Sequence, residues 1–136
     1  MKLITVLAIL ALSTSFKPSP KSANLNKQIL KSYCAATVYS VTNNNSGGTV
    51  KFVKITGCGS DVNNTMNLTS GTYAPLNNGT TCTYKNIFIQ VTGQFNSISL
   101  VYNQTVLQTQ SYDPTNTTGR YSFYIENCTS CDIEVN

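Results

Sequence analysis

Apolar and polar residues alternate with a period of two along most of the chain after residue 36. The alternation predicts these inward-pointing core residues: Ile87, Ile89 and Val91; Ile98, Leu100 and Tyr102; Tyr121, Phe123 and Ile125; and Ile133 and Val135. Such a period is typical of half-buried β-strands, because successive side chains of a strand point to opposite faces. The pattern therefore predicts an all-β domain.

Two further strands are predicted at residues 37–41 and 49–55, which are rich in β-branched and aromatic residues. They flank the Asn- and Gly-rich residues 43–48, and both residue types accept the positive φ of a hairpin loop. We therefore expect the two strands to pair as a hairpin.

The hydrophobic phase changes within the second of these strands. Val50 and Phe52 share one face, whereas Val53 and Ile55 share the other. This change indicates either burial on both faces or a β-bulge near Phe52.

Turn-forming residues separate the remaining strands. Residues 103–104 are short enough to form a two-residue hairpin loop between strands at 97–102 and 105–109, and a short strand is expected at 65–69. Seven or eight strands at roughly ten-residue spacing, with no helical segment between them, predict an antiparallel β-sandwich. The architecture is Ig-like in the loose sense.

The amino terminus has the pattern of a secretory signal peptide. A short positive start, residues 1–2, precedes a ten-residue segment at 3–12 that is apolar except for Thr5, and three small residues follow at 13–15. A ten-residue segment is about half of a bilayer span, so no transmembrane segment is expected. The predicted domains are a signal peptide (1–15), a Lys-, Pro- and Ser-rich linker (16–33) and a single β-sandwich (34–136). We expect the mature protein to be secreted, in the periplasm or outside the cell.

Composition excludes several chemistries. The 136 residues contain no His, which excludes Ser-His-Asp and Cys-His nucleophiles, His general bases and His-containing metal sites. Residues 34–136 carry four cationic and five acidic side chains, a net charge of −1. Nucleic-acid binding requires clustered Lys and Arg, which this region lacks. We therefore expect no enzyme activity, no cofactor, no metal and no nucleic-acid partner.

Five cysteines in an exported chain point to disulfide bonds. Cys58 follows one predicted strand and Cys82 precedes another, so a bridge between them is expected. Cys128 and Cys131 are close enough for a second bridge across a turn in the predicted final hairpin. Cys34 is then left over.

The Cys128 and Cys131 pair also has the Cys-x-x-Cys spacing of thiol-disulfide exchange proteins. Such proteins lower the pKa of one thiol with a helix N-terminus or nearby cations. Here Glu126 and Asp132 flank the pair, and negative charges raise a thiol pKa. We therefore favour a structural bridge between these cysteines, and redox exchange is the alternative.

Eight tyrosines in a chain without Trp are the remaining signal of function. Tyr124 alternates with the inward Phe123 and Ile125, so it is predicted to point outward, with Tyr112 as a neighbour in the preceding loop. Outward aromatic rings suit recognition of a protein or glycan. The sequence thus predicts an exported, non-enzymatic β-sandwich that binds a protein, glycan or cell-surface partner. Alternatives are the thiol-disulfide protein described above and a β-rich membrane-active protein.

Seven Asn-x-Ser/Thr sequons add a candidate modification. They begin at Asn44, Asn63, Asn67, Asn78, Asn103, Asn116 and Asn127. The amino-acid composition accounts for about four by chance, and glycosylation requires a secreting cell with that machinery.

Overall fold

The computed structural model describes residues 35–44, 46–126 and 129–136, which contain nine β-strands and no helix. The predicted signal peptide and linker, Cys34, Asn127 and Cys128 lie outside these residues. The strands are β1 (Thr37–Asn43), β2 (Gly48–Gly57), β3 (Ser60–Leu68), β4 (Thr72–Pro75), β5 (Tyr84–Gly93), β6 (Ser97–Tyr102), β7 (Thr105–Ser111), β8 (Arg120–Glu126) and β9 (Ser130–Val135).

The strands form a five-stranded sheet with the order β4-β1-β9-β6-β7 and a four-stranded sheet with the order β3-β2-β5-β8. Inward side chains of both sheets form one hydrophobic cluster, which includes Val41, Val53, Ile89, Leu100 and Ile133. The predicted all-β sandwich is confirmed.

Two of the predicted hairpins are wrong. β1 and β2 lie in opposite sheets, and so do β8 and β9. β1 instead pairs with β9 in parallel, from Thr37 opposite Ser130 to Asn43 opposite Val135. This is the single parallel pairing among the seven within the described residues, so the sandwich is antiparallel only in the main. Asn- and Gly-rich loops permit a tight turn but do not require one, and burial of both strands on facing sheets decides the pairing.

The β6–β7 hairpin is confirmed. Its turn residues Asn103 and Gln104 have φ values of 46° and 64°. Positive φ at both central positions is the signature of a type I′ turn, whose twist matches the flanking strands. β3 begins at Ser60, earlier than the predicted strand at 65–69, because a similar turn at Cys58 and Gly59 joins it directly to β2.

The β-bulge near Phe52 is confirmed as well. The register of β2 shifts between Val50 and Phe52 against both of its neighbours, β3 and β5. The extra residue places Val50, Val53 and Ile55 on the buried face, whereas Phe52 is partly exposed. A bulge is the physical reason for the change of phase.

The predicted core residues are buried with one exception. Tyr102 is 49% exposed, so its assignment to the core is wrong. The register between β6 and β7 shifts after Leu100, and Tyr102 ends β6 immediately before the turn. The alternation extrapolated from Ile98 and Leu100 therefore fails at the strand end.

Amide side chains bond the two sheets at their edges. Gln108 and Gln110 on β7 donate hydrogen bonds to the carbonyl oxygens of Tyr124 and Ser122 on β8. On the other side, the Asn64 side chain on β3 bonds the backbone N–H and C=O of residue 77, in the loop that follows β4. The two glutamine bonds occupy carbonyl groups that the edge strand β8 otherwise leaves open for mispairing.

The buried side-chain amide of Asn43 stabilises the connection between β1 and β2, which lie in opposite sheets. Asn43 is 0% exposed, and its Nδ2 donates to the carbonyl oxygens of Gly48 and Leu68 at 2.9 and 3.1 Å. Its Oδ1 accepts the Ser46 hydroxyl at 2.6 Å. Every polar atom of this buried side chain is therefore satisfied, as burial of an amide requires.

The opposite end of the sandwich holds the predicted Cys58–Cys82 disulfide, which is confirmed with a Cα–Cα distance of 5.7 Å. Lys85 is also buried there, and its Nζ donates to the carbonyl oxygens of Asn78 and Thr80 at 2.8 and 2.5 Å. Burial lowers the pKa of the Lys85 amine. The bridge and the lysine together hold the loop between β4 and β5 against the core.

Candidate functional site

The outer surface of the four-stranded sheet carries four aromatic side chains, which we call the aromatic face: Phe52, Tyr84, Phe88 and Tyr124. Alternation on β5 and β8 places Tyr84, Phe88 and Tyr124 there, since the intervening residues of both strands are buried, and the bulge in β2 places Phe52 on the same side. Tyr84, Phe88 and Tyr124 are 39%, 40% and 47% exposed. Because the inner side of the same sheet is packed core, these rings project from a rigid support.

Tyr124 lies outward as predicted, and its neighbour is Tyr84. The two rings stack with their centroids 6.3 Å apart and an interplanar angle of 28°. The Tyr124 hydroxyl donates to Oε2 of Glu126 at 3.0 Å, and this bond raises the pKa of Tyr124. The stacked pair and its carboxylate fix one end of the aromatic face.

The other end is a groove of about 310 Å³ lined by Phe52, Lys54, Asn63, Phe88 and Arg120. Its cations are engaged locally: Nζ of Lys54 lies 2.8 Å from Oδ2 of Asp61, and the Arg120 guanidinium lies 5.9 Å from the Phe52 ring centroid. The geometry of the second pair is that of a cation–π contact. The groove therefore offers apolar ring faces bordered by hydrogen-bond donors.

Tyr112 belongs to a different part of the molecule. Its ring packs edge-to-face on Phe95 with centroids 5.1 Å apart, and Phe95 packs on Tyr121 at 5.5 Å. Tyr112 also lines two depressions of about 360 and 500 Å³ between the loops at that end of the sandwich. The structure thus places Tyr112 and Tyr124 in separate aromatic clusters, and their role in binding stays a prediction.

The second predicted disulfide has only one end within the described residues. Cys131 carries a free, buried thiol, whereas Cys128 lies outside the described residues. Burial and the neighbouring charge of Asp132 raise the pKa of Cys131 to about 12. The predicted final hairpin around these cysteines is wrong, because β8 and β9 lie in opposite sheets.

Two of the acidic side chains, Asp61 and Asp113, are engaged in local structure. Asp113 accepts hydrogen bonds from the backbone N–H and hydroxyl of Thr115, which lower the pKa of its carboxyl, and Asp61 pairs with Lys54. Across residues 35–44, 46–126 and 129–136, no three His, Cys, Asp or Glu side chains cluster as metal ligands do. The same residues form no helix that is long and apolar enough to cross a membrane.

Comparison with known proteins adds no relative. No family model, no curated protein and no solved structure matches this chain.

Sequence reasoning singled out Tyr124 but missed the rest of the aromatic face. The signal was present on β5: if Ile87 and Ile89 point inward, Tyr84 and Phe88 point outward. Phe52 was hidden by the bulge, because its phase matched that of Val50. Only the cross-strand register shows that these rings share one surface.

Proposed function

We propose that the protein is an exported, non-enzymatic β-sandwich module that binds a glycan or protein partner through its aromatic face. The observation that carries this proposal is the exposure of three aromatic rings, Tyr84, Phe88 and Tyr124, on the outside of one sheet. Leaving such rings in water forgoes the free energy of burying them, so a partner surface is their natural complement.

Rigidity of the support favours recognition. β2, β5 and β8 are paired side by side beneath the aromatic face, and their inward residues are buried. Because the rings are already fixed by the sheet, little ordering free energy is lost on binding. Aromatic side chains are also the residues that most often dominate binding surfaces.

The side chains between the rings favour a glycan over a protein. Asn86 lies directly across from Tyr124, and Gln90 lies between Phe52 and Arg120 in the cross-strand register. Sugar rings present apolar C–H faces to aromatic rings and hydroxyl groups to amides. A saccharide chain therefore matches this alternation of rings and amides.

Export is supported by the Cys58–Cys82 disulfide, since such bonds persist in oxidising compartments. The thiol-disulfide alternative has less support. A catalytic thiol must be accessible and ionised near neutral pH, whereas Cys131 is buried with a pKa raised to about 12.

One observation favours the membrane-active alternative. The β6–β7 hairpin exposes Tyr102, Val106 and Leu107, which are 49%, 58% and 40% exposed. Leakage of dye from lipid vesicles on addition of the protein would support this alternative, and vesicles that stay intact would remove it.

A binding screen tests the main proposal. The secreted protein and its Phe88→Ala variant are applied to a glycan array and to an extract of cell-surface proteins. We expect glycan binding that Phe88→Ala weakens at least tenfold, while the control Tyr102→Ala on the other sheet leaves it unchanged. Wild-type protein that retains no glycan and no surface protein would contradict the proposal.

A further inference from the structure

The β6–β7 hairpin carries an Asn-x-Thr sequon at its turn. Asn103 and Gln104 are the turn residues, and Thr105 begins β7. All three side chains are exposed. The turn is therefore an exposed surface position of the kind that accepts a bulky attachment.

The six sequons within the described residues differ in what their amides do. Nδ2 of Asn44, Asn78 and Asn116 donates to Asn136, Val38 and Arg120, respectively. Asn78 is bound most fully, because its Oδ1 also accepts the backbone N–H of Val38 at 2.8 Å. Attachment of a sugar to these nitrogens would disturb bonds of the folded protein.

The remaining three lie on the surface in different settings. Oδ1 of Asn67 accepts a hydrogen bond from the Lys51 ammonium, and Asn63 lines the groove of the aromatic face. Among the hydrogen bonds of the described residues, none involves the side chain of Asn103. Among these six sequons, Asn103 is thus the one whose side chain makes no hydrogen bond in the described residues and which also lies away from the proposed binding face.

A second observation points to a glycan at this hairpin. Tyr102, directly before Asn103, is 49% exposed, and the apolar Val106 and Leu107 are exposed on the following strand. Exposed apolar groups on an edge strand promote association between chains. A glycan attached at the turn would cover them, with the Tyr102 ring available to the first sugar.

We propose that Asn103 carries an N-linked glycan in the exported protein, whereas Asn78 and Asn116 do not. In this modification the Asn103 amide nitrogen forms a bond to the anomeric carbon of a lipid-pyrophosphate-linked oligosaccharide. The bond from that carbon to the pyrophosphate breaks, the amide gives up one proton, and the lipid pyrophosphate leaves. The inference rests on export, since the donor and its transferase belong to the secretory pathway.

Peptide mapping of the secreted protein tests this inference. The full chain, with its own amino terminus, is expressed in a secreting eukaryotic cell, and protein from the medium is treated with an N-glycosidase that converts glycosylated Asn to Asp. We expect Asp at position 103 and unchanged Asn at positions 78 and 116. Thr105→Ala removes the sequon without changing Asn103, so the intact mass should fall by one glycan, and Asn103→Asp should give the same loss.

Thr80→Ala is the matched control, because it removes the Asn78 sequon while leaving the Asn78 amide in place; it should cause no loss of glycan mass. Secreted protein with unmodified Asn103, or with glycan on Asn78, would overturn the inference. Full-length protein retained in the cytosol would overturn export itself, and it is distinguished by where the chain is found.

Discussion

Removal of the Cys58–Cys82 disulfide should destabilise the domain by an amount that depends on the number of residues in the ring that the disulfide closes. The bridge has a sequence separation of 24, which makes a ring of 25 residues counting both ends. In the chain-entropy model such a ring stabilises the folded state by about 3.5 kcal/mol. Small domains have total stabilities of about 5–15 kcal/mol, so this loss is a large fraction of the whole.

The backbone turn at Cys58 and Gly59 allows a second comparison between two variants that both lack the disulfide. Cys58 has a φ of 49°, which most L-residues adopt at a cost, and it precedes Gly59 at 76° in a type I′ turn. Asn-Gly is the pair that this turn prefers. The variant Cys58→Asn/Cys82→Ala should therefore lose about 1 kcal/mol less than Cys58→Ala/Cys82→Ala. Both variants share the change at the buried Cys82, so their difference isolates the turn.

Urea unfolding followed by circular dichroism measures both effects. With a slope of about 1.5 kcal/mol per M for a domain of this size, the Ala/Ala variant should unfold about 2 M earlier than the wild type. Reduced wild-type protein should fall close to the Ala/Ala variant. An Ala/Ala midpoint within about 0.5 M of the oxidised wild type would refute the ring argument, and equal midpoints for the two variants would refute the turn argument.

Three further predictions follow from buried and bonded groups. The Cys131 thiol should resist alkylation in the folded protein and react on unfolding, as mass spectrometry of labelled peptides can show. Because the pKa of this thiol is raised from 9.0 to about 12, the free energy of unfolding should fall as the pH rises between these values. Glu126→Gln should lower the pKa of Tyr124 in a phenolate absorbance titration, since the bond to Glu126 raises it. Asn43→Ala should lower the free energy of unfolding in urea by about 3 kcal/mol, because it removes the hydrogen-bond partner of two buried carbonyl oxygens and of the Ser46 hydroxyl. Asn44→Ala, at an exposed position, should lower it by less than about 1 kcal/mol. Full reactivity of native Cys131, an unchanged Tyr124 titration or equal costs at the two asparagines would contradict the respective assignments.

Local patterns predict the strands of this protein well, because alternation and turn chemistry act over a few residues. The core positions on β5, β8 and β9, the bulge near Phe52 and the turn at Asn103 are all readable in this way. Strand pairing cannot be predicted in this way, since it depends on which strands, distant in sequence, bury their inward faces in the same sheet. The β1–β9 parallel pair joins segments about ninety residues apart, and no turn signal marks it.

Buried polar residues are the other failure of sequence reasoning. Asn43 belongs to an Asn- and Gly-rich stretch that is typical of an exposed loop, yet it is fully buried. Lys85 likewise lies on the inward side of β5 with Ile87. Both are tolerated because backbone carbonyl oxygens happen to face them, and only tertiary structure supplies those acceptors.

The most direct test of the central claim compares two exposed tyrosines on opposite sheets. Tyr124 lies on the aromatic face, whereas Tyr73 on β4 is 62% exposed on the five-stranded sheet. Binding of each Ala variant to the glycan or surface protein retained by the wild type is measured together with its urea midpoint. We predict that Tyr124→Ala weakens binding at least tenfold with a stability change below about 1 kcal/mol, typical of a surface site, and that Tyr73→Ala leaves binding unchanged. Equal binding by both variants, or a loss of about 3–5 kcal/mol in stability for Tyr124→Ala as for a core aromatic residue, would contradict the claim.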